Sequence, residues 1–151
     1  MVGEATRGED EEANIILDKF EKAGLGDRLI LTGYRDDVPD VLGAMDLFLF
    51  PTHSEAFGLV IVEAMAMGVP VVSADCDGVP DIVEHGETGL LVPPTDVEGL
   101  AAAVTDLLGD AKKRRVFGQA GLQRAKDLFS EEKMCQEMES LYHRLMSRYQ
   151  I

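Results

Sequence analysis

The sequence predicts an α/β fold in which helices cover a mostly parallel sheet. Short apolar runs at residues 47–50, 69–73 and 89–92 alternate with stretches whose apolar residues recur at helical spacing. A helix at 59–67 joins the first two of these runs, and a strand–helix–strand crossover of this kind requires parallel strands. The chain is therefore predicted to form one compact layered domain over residues 1–151.

The remaining elements follow from the same patterns and from the glycines and prolines that end them. Gly24 and Gly26 close the first helix, Pro39 lies in the first turn of the second, and Pro51 stops a strand. The predicted order is a helix at 9–23, a buried strand at 28–32, a helix at 38–45, a strand at 47–50, a helix at 59–67, strands at 69–73 and 89–92, and helices at 97–108, 112–128 and 131–149.

The charge of the chain excludes several classes of partner. There are 28 acidic and 14 basic residues, a formal charge of −14 that repels nucleic acid and anionic lipid. No apolar run reaches the length of a membrane span or a signal peptide. Two cysteines 59 positions apart form neither a disulfide framework nor a metal cluster. A soluble cytoplasmic protein that binds neither nucleic acid nor a membrane, with no metal site, is expected.

The stretch with the clearest chemistry is 51–70, in which a strand ends, a glycine turn follows and a helix begins. Open α/β sheets bind ligands at this kind of junction. The amides of Gly58, Leu59 and Val60 should point outward there, and together with the helix dipole they form a phosphate site that needs no basic side chain. The sequence thus predicts an anion site even in an acidic protein.

Two glutamates flank this predicted site. Glu55 precedes the turn and Glu63 follows about one helical turn later, so that both can accept hydrogen bonds from hydroxyl groups of one ligand. Glu63 is either an ordinary solvated residue or a functional one, because it interrupts an otherwise apolar helix. His53 is weighed as a general base, but a polar residue at the end of a strand, beside Thr52 and Ser54, is the preferred explanation.

These residues resemble the Glu-x7-Glu signature, with its internal Phe-Gly-Leu, of the retaining glycosyltransferases of family four, which have the GT-B fold. Further blocks resemble the same family in order and without gaps: Leu31-Thr-Gly-Tyr-Arg-Asp-Asp-Val-Pro39, Ala44-Met-Asp-Leu-Phe-Leu-Phe-Pro51, Gly68-Val-Pro-Val-Val-Ser73, Gly78-Val-Pro-Asp-Ile-Val-Glu-His-Gly86 and Thr88-Gly-Leu-Leu-Val-Pro93. The resemblance covers essentially the whole chain.

The resemblance implies roles for the matching residues. Glu55 would hold donor-sugar hydroxyls and stabilise the reacting centre, and Glu63 would bind the ribose. The remaining implied binding residues are Gly58, Leu59 and Val60 with the adjoining Phe57 around the diphosphate, Tyr34 and Arg35 near the base, and Gly3 in a donor loop whose Gly3-Glu-Ala-Thr departs from the family's usual Gly-Asp-Gly-Pro type.

The resemblance also implies an architecture of two Rossmann-like domains that face a cleft. This chain would be the C-terminal, donor-binding half, a Rossmann-like three-layer domain truncated at its N-terminus. The N-terminal domain would bind the acceptor, and an arginine and a lysine that neutralise the leaving diphosphate would be missing here. The chain is therefore expected to bind a UDP- or GDP-linked sugar, to need no metal or cofactor, and to be inactive or nearly so alone.

Other interpretations of the chain stay open at this point. The chain could be a non-catalytic module that binds nucleotide or a partner protein, or a fragment of a nucleotide-sugar epimerase, which would use the same diphosphate site without an acceptor. The last helix carries an apolar stripe formed by Met134, Met138, Leu141, Leu145 and Met146. In the family this helix reaches toward the N-terminal domain, so self-association through the exposed stripe is a further hypothesis.

Overall fold

A computed structural model describes the backbone of residues 10–149 and the side chains of residues 14–149. The contacts divide the chain into two compact units, one ending at Val38 and the other beginning at Pro39. The elements are α1 (Asp10–Lys22), α2 (Val38–Gly43), β1 (Phe48–Phe50), α3 (Leu59–Ala66), β2 (Val71–Ala74), α4 (Val79–Ile82), β3 (Gly89–Val92), α5 (Val97–Gly109), α6 (Ala111–Leu128) and α7 (Glu131–Tyr149).

The first unit contains α1, which agrees with the predicted helix at 9–23 to within one residue at each end. The strand predicted at 28–32 is wrong. Residues 26–28 form a turn of 3₁₀ helix, and residues 29–32 belong to no strand. The apolar run behind that prediction leaves Ile30 73% exposed and Leu31 50% exposed. The prediction took this apolar run for a buried strand, and the exposure of these two side chains shows that it is not one.

The second unit is built on a three-stranded sheet in the order β1-β2-β3. Both pairs are parallel, with Phe48 opposite Val71 and Val71 opposite Gly89. This confirms the predicted α/β fold with a parallel sheet. β3 occupies the predicted residues, whereas β1 and β2 begin one and two residues later than predicted. The short helix α4 was not predicted, because four residues are too few to show a helical period.

The core of this unit lies around the central strand. All four residues of β2 are buried, as expected of a strand that has a neighbour on each edge and helices against it. Val72 packs in one cluster with Leu107 of α5 and Phe117 of α6. Ile61 and Met65 of α3 are fully buried as well. The sheet and these three helices therefore form a rigid support for the loops at its edge.

The parallel order brings two loops to the same edge of the sheet. β1 and β2 are neighbours, so the segments that leave their carboxyl ends, residues 51–58 and 75–78, emerge side by side. Ser73, near the end of β2, is fully buried and donates a hydrogen bond from Oγ to the carbonyl of Phe50 at 2.9 Å. This edge is where the sequence predicts the anion site.

Candidate donor-binding site

The turn before α3 is set by Gly58, which is buried and has φ of +94° and ψ of +52°. Residues that carry a side chain rarely adopt this left-handed backbone conformation, so glycine is required for the chain to enter the helix at this angle. The carbonyl of Gly58 accepts the amide of Ile61 at 2.9 Å. The helix therefore begins immediately after a loop that comes from β1.

No residue that the structure describes caps the N-terminus of α3 with its side chain. Gly58 provides no side-chain cap, and the first turn carries no acidic residue. Among residues 14–149, none accepts a hydrogen bond from the amides of Leu59 or Val60. Leu59 is 69% exposed, so these donors lie near the surface. Unpaired amides at the positive end of a helix dipole are suited to an anion.

Glu55 lies in the loop before the turn and is half-buried. Its Oε1 accepts a hydrogen bond from the amide of Phe57 at 3.3 Å. Phe57, in turn, packs edge-on against Phe129 at a ring separation of 6.0 Å, which attaches the loop to the end of α6. The carboxylate is thus held beside the turn and keeps further acceptor capacity for a ligand.

Glu63 occupies the exposed side of α3. Ile61, Ala64 and Met65 form the buried side, so Glu63 interrupts the apolar sequence without interrupting the apolar face. It lies four residues after Leu59, about 6 Å further along the helix axis. Its carboxylate forms no hydrogen bond or ion pair with any residue in the described range 14–149. The structure therefore leaves this carboxylate available to a ligand.

Sequence reasoning missed the loop that follows β2. Asp77 Oδ2 accepts hydrogen bonds from Ser54 Oγ at 2.7 Å and from the amide of Glu55 at 3.0 Å. These two hydrogen bonds, the one from Ser54 first, hold the pKa of the Asp77 carboxyl below its usual range. Asp77 is 23 residues from Ser54 along the chain, so only the adjacent strand ends reveal the contact.

Cys76 lies in the same loop, and its thiol is not activated. Burial, and after it the carboxylates of Asp77, Asp75 and Glu55, raise the pKa of the Cys76 thiol. A thiol with a raised pKa stays protonated near neutral pH and is a poor nucleophile. These three carboxylates place negative charge close to the thiol.

Two predicted base-binding residues lie in the first unit. Tyr34 is 77% exposed. Arg35 forms a fork with Asp37, in which Nε donates to Oδ1 at 2.6 Å and Nη2 pairs with Oδ2. This guanidinium contact, first among its causes, lowers the pKa of the Asp37 carboxyl. Gly3 lies outside the described residues, so its predicted role stays a prediction.

The structure gives other candidate residues local roles. His85 lies in a glycine-flanked segment, and its Nδ1 accepts the amide of Leu91 at 3.0 Å. Arg114, from the basic run 112–115, donates to the carbonyls of Leu107 and Leu108 at the end of α5. His53 is exposed and forms no hydrogen bond with the residues described here. None of these observations supports a catalytic histidine or a phosphate patch.

The site therefore combines a strand end, an open helix N-terminus and two carboxylates. A family model described as Glycosyl transferases group 1 matches residues 1–110. The chain belongs to this family. The group 1 assignment confirms the resemblance inferred from the sequence blocks, and it agrees with the α/β fold and the parallel sheet.

Relatives with known names support the assignment of this group 1 chain. It is 33% identical over 136 residues to the N-acetyl-alpha-D-glucosaminyl L-malate synthase of Bacillus anthracis, covering 90% of this chain and 36% of that protein. HepE from Anabaena, solved in complex with UDP, superimposes with a TM-score of 0.90 at 31% identity, over 95% of this chain and 40% of HepE. HepE has also been solved with UDP-glucose.

A third similar structure indicates which part of a group 1 protein this chain represents. The C-terminal domain of the group 1 glycosyl transferase LpcC from Francisella tularensis matches with a TM-score of 0.80 and 28% identity, over 86% of this chain and 69% of that domain. The chain spans 36% and 40% of the first relatives' lengths. It therefore corresponds to the C-terminal domain of the GT-B fold.

The described residues also bear on membrane spans and metal sites. No helix among them is both long enough and apolar enough to span a bilayer. Within the same residues, no group of three or more histidine, cysteine, aspartate or glutamate side chains is arranged to hold a metal ion.

Proposed function

We propose that this chain binds the nucleotide-diphosphate sugar of a retaining hexosyltransferase, with UDP-sugar as the first candidate donor. The observation that carries the proposal is the uncapped N-terminus of α3 between two available carboxylates at the carboxyl end of β1. The complexes of HepE with UDP and UDP-glucose support the choice of donor, because HepE matches 95% of the length of this chain.

The diphosphate would lie against the first turn of α3. The amides of Leu59 and Val60 have no acceptor among the described residues, and the amide of Gly58 precedes them on the same turn. Backbone donors hold phosphate at close range, since no side chain stands between the helix and the ligand. In transfer, the same amides would stabilise charge that develops on the departing diphosphate.

The two glutamates would bind opposite ends of the donor. Glu55 would accept hydrogen bonds from hydroxyls of the hexose, where its charge can also stabilise the positive character that develops at the reacting carbon. Glu63, one turn into the helix, would accept hydrogen bonds from the ribose. Tyr34 and Arg35 are proposed near the base, and Gly3 near the donor, on the family resemblance alone.

We infer that residues outside this chain complete the enzyme. Glu55, Asp75 and Asp77 already make the potential at the site negative, as the raised pKa of Cys76 reflects. A diphosphate leaving group adds further negative charge, which cationic side chains of an acceptor-binding domain would neutralise. The chain alone is therefore proposed to bind donor with little or no turnover, and to do so without a metal ion or cofactor.

Calorimetric titration of the purified chain with UDP-glucose, UDP, GDP-mannose and GDP tests the proposal. Saturable binding of one series, unchanged in EDTA, is expected and identifies the base. Binding without turnover after addition of a separately produced acceptor domain would favour a non-catalytic module. A folded chain that binds neither series would contradict the proposal.

We also propose that α7 binds a second copy of the chain. This helix has 19 residues and none is buried, although most of the stability of helices in proteins comes from packing of an amphipathic face. Met134, Met138, Leu141 and Leu145 are 40–60% exposed and follow the four-three spacing of a coiled-coil seam. An apolar stripe of this kind is stabilised when another surface covers it.

The charges of α7 favour an antiparallel pair. Four glutamates and one lysine lie at 131–139, whereas two arginines and one histidine lie at 140–149. With Met138 against Leu141 of the second copy, Glu137 comes close to Arg144 of that copy. Sedimentation should show a dimer that Glu137→Arg weakens and Glu137→Arg with Arg144→Glu restores. A monomer at all concentrations, or no restoration, would contradict this arrangement.

A further inference from the structure

The loop after β2 holds the loop after β1 at several points. Asp77 Oδ2 accepts from Ser54 Oγ at 2.7 Å and from the amide of Glu55 at 3.0 Å. The amide of Gly78 donates to the carbonyl of Glu55 at 3.2 Å. Both backbone polar groups of Glu55 are therefore bound by two consecutive residues of the neighbouring loop.

The two loops also approach closely. A Cβ atom built on Gly78 would lie 2.3 Å from the carbonyl oxygen of Ala56, a distance at which backbone atoms would have to move. Glycine at this position thus permits the contact. The spacing of the loops is determined by their backbones, because β1 and β2 are adjacent and parallel.

Asp77 adopts a conformation that is unusual for its residue type. Its φ of +45° is in the left-handed region, and it is the one non-glycine residue with positive φ in the described part of the chain. Aspartate tolerates this region better than most residues, yet the conformation persists only where surrounding contacts stabilise it. Here the contacts are the two hydrogen bonds to the loop that carries Glu55.

We propose that Asp77 is a positioning residue of the donor site, which holds Glu55 so that its carboxylate meets the hydroxyls of the donor sugar. The inference rests on the proposed function, since it deepens the role given there to Glu55. Asp77 fixes the main chain of Glu55, while the amide of Phe57 orients the carboxylate through Oε1. A carboxylate attached at both its backbone and its side chain is preorganised for binding.

The test compares a donor that contains the sugar with one that lacks it. In Asp77→Gly the acceptor oxygen is lost, but the backbone can keep its positive φ because glycine adopts that conformation freely. We expect Asp77→Gly to weaken UDP-glucose binding by roughly tenfold, the effect of losing a hydrogen bond to a charged group, and to change UDP binding by less than about twofold. Asp77→Asn, which keeps an oxygen acceptor, should recover part of the affinity for UDP-glucose.

Asp75→Asn is the matched control, because it removes one negative charge from the same exposed loop and makes no side-chain hydrogen bond to the β1 loop. Because the charge removed lies close to the proposed diphosphate, any change in affinity should be the same for UDP-glucose and for UDP, unlike the change in Asp77→Gly. If GDP-mannose and GDP are the ligands that bind in the first titration, they replace the uridine pair. Circular dichroism and a thermal melt show whether each variant is folded.

The outcomes separate this inference from the proposed function. If the unaltered chain binds neither nucleotide sugar, the proposed function fails and this inference fails with it. If the unaltered chain binds UDP-glucose and Asp77→Gly binds it equally well, only the role of Asp77 is overturned. The same conclusion follows if folded Asp77→Gly loses affinity for UDP and UDP-glucose to the same extent, since that pattern indicates a general effect on the site.

Discussion

The N-termini of α5 and α6 differ from that of α3. Asp96 accepts the amide of Gly99 at 2.8 Å and Asp110 accepts that of Lys113 at 2.9 Å, so each of these helices is capped by a side chain. α3 begins after Gly58 with no such cap. Of these three helices, only α3 lacks a side-chain cap, and the first two amides of its first turn have no other acceptor among residues 14–149.

Under the proposed function, a helix N-terminus serves stability in α5 and α6 and ligand binding in α3. A capping aspartate satisfies amides that would otherwise lose their hydrogen bonds, which stabilises the helix. At α3 a capping carboxylate would occupy the position that the proposed function gives to the phosphate, and its negative charge would repel that phosphate. The stability of α3 instead comes from burial of Ile61, Ala64 and Met65.

The largest expected effect comes from placing a carboxylate at the open terminus. Gly58→Asp should weaken UDP binding by about 2 kcal/mol more than Gly58→Asn, because the two side chains are of equal size and impose the same backbone strain, but only aspartate repels the diphosphate. Calorimetry at pH 7 measures the difference. Equal affinities of the two variants would show that the α3 terminus does not contact phosphate.

Removal of Glu63 should have the next largest effect. Glu63→Ala should weaken UDP binding by about 1.5 kcal/mol, through loss of hydrogen bonds to a charged acceptor, and leave the melting temperature unchanged because the side chain is exposed. Glu98→Ala, an exposed glutamate in the first turn of α5, is the control. Unchanged affinity in Glu63→Ala would remove the ribose role from this residue.

The capped helices should respond in the opposite way. Asp96→Ala should lower the free energy of unfolding by about 1 kcal/mol, since the amide of Gly99 loses its acceptor, and should leave UDP affinity unchanged, since the proposed function places no phosphate at this terminus. Urea denaturation followed by circular dichroism measures the first quantity and calorimetry the second. A loss of UDP affinity in the folded variant would contradict the contrast between the two kinds of terminus.

The smallest expected effect concerns Asp77, which binds the amide of a loop rather than that of a helix. Its carboxyl should titrate below the usual range of aspartate, and Ser54→Ala should move the pKa back up, because the Ser54 hydroxyl is the first cause of the lowering. Because the pKa is lowered in the folded state, the associated stability is present above the unfolded pKa and is lost as pH falls through the folded one. Carboxyl carbon NMR shifts report this titration directly.

Prediction from the sequence succeeded where local spacing carries the information. β3 and α7 occupy the predicted residues, since glycine, proline and charge mark their ends. It failed at 28–32, where residues 26–28 form a turn of 3₁₀ helix and the apolar residues that follow belong to no strand. The contact of Asp77 with Ser54 was also missed. The available signal was an aspartate before a glycine at a strand end, but this pattern does not identify a hydrogen-bond partner 23 residues away.

The sequence by itself determined the alternation of strands and helices, the family, and the segment that forms the site, because these depend on residue type and spacing over short distances. Only the tertiary structure decided that Glu63 lies on the exposed side of α3, that this helix is left without a cap, and that Asp77 holds Glu55. The parallel order of β1 and β2 is the physical reason, since it brings two loops distant in sequence to one edge of the sheet.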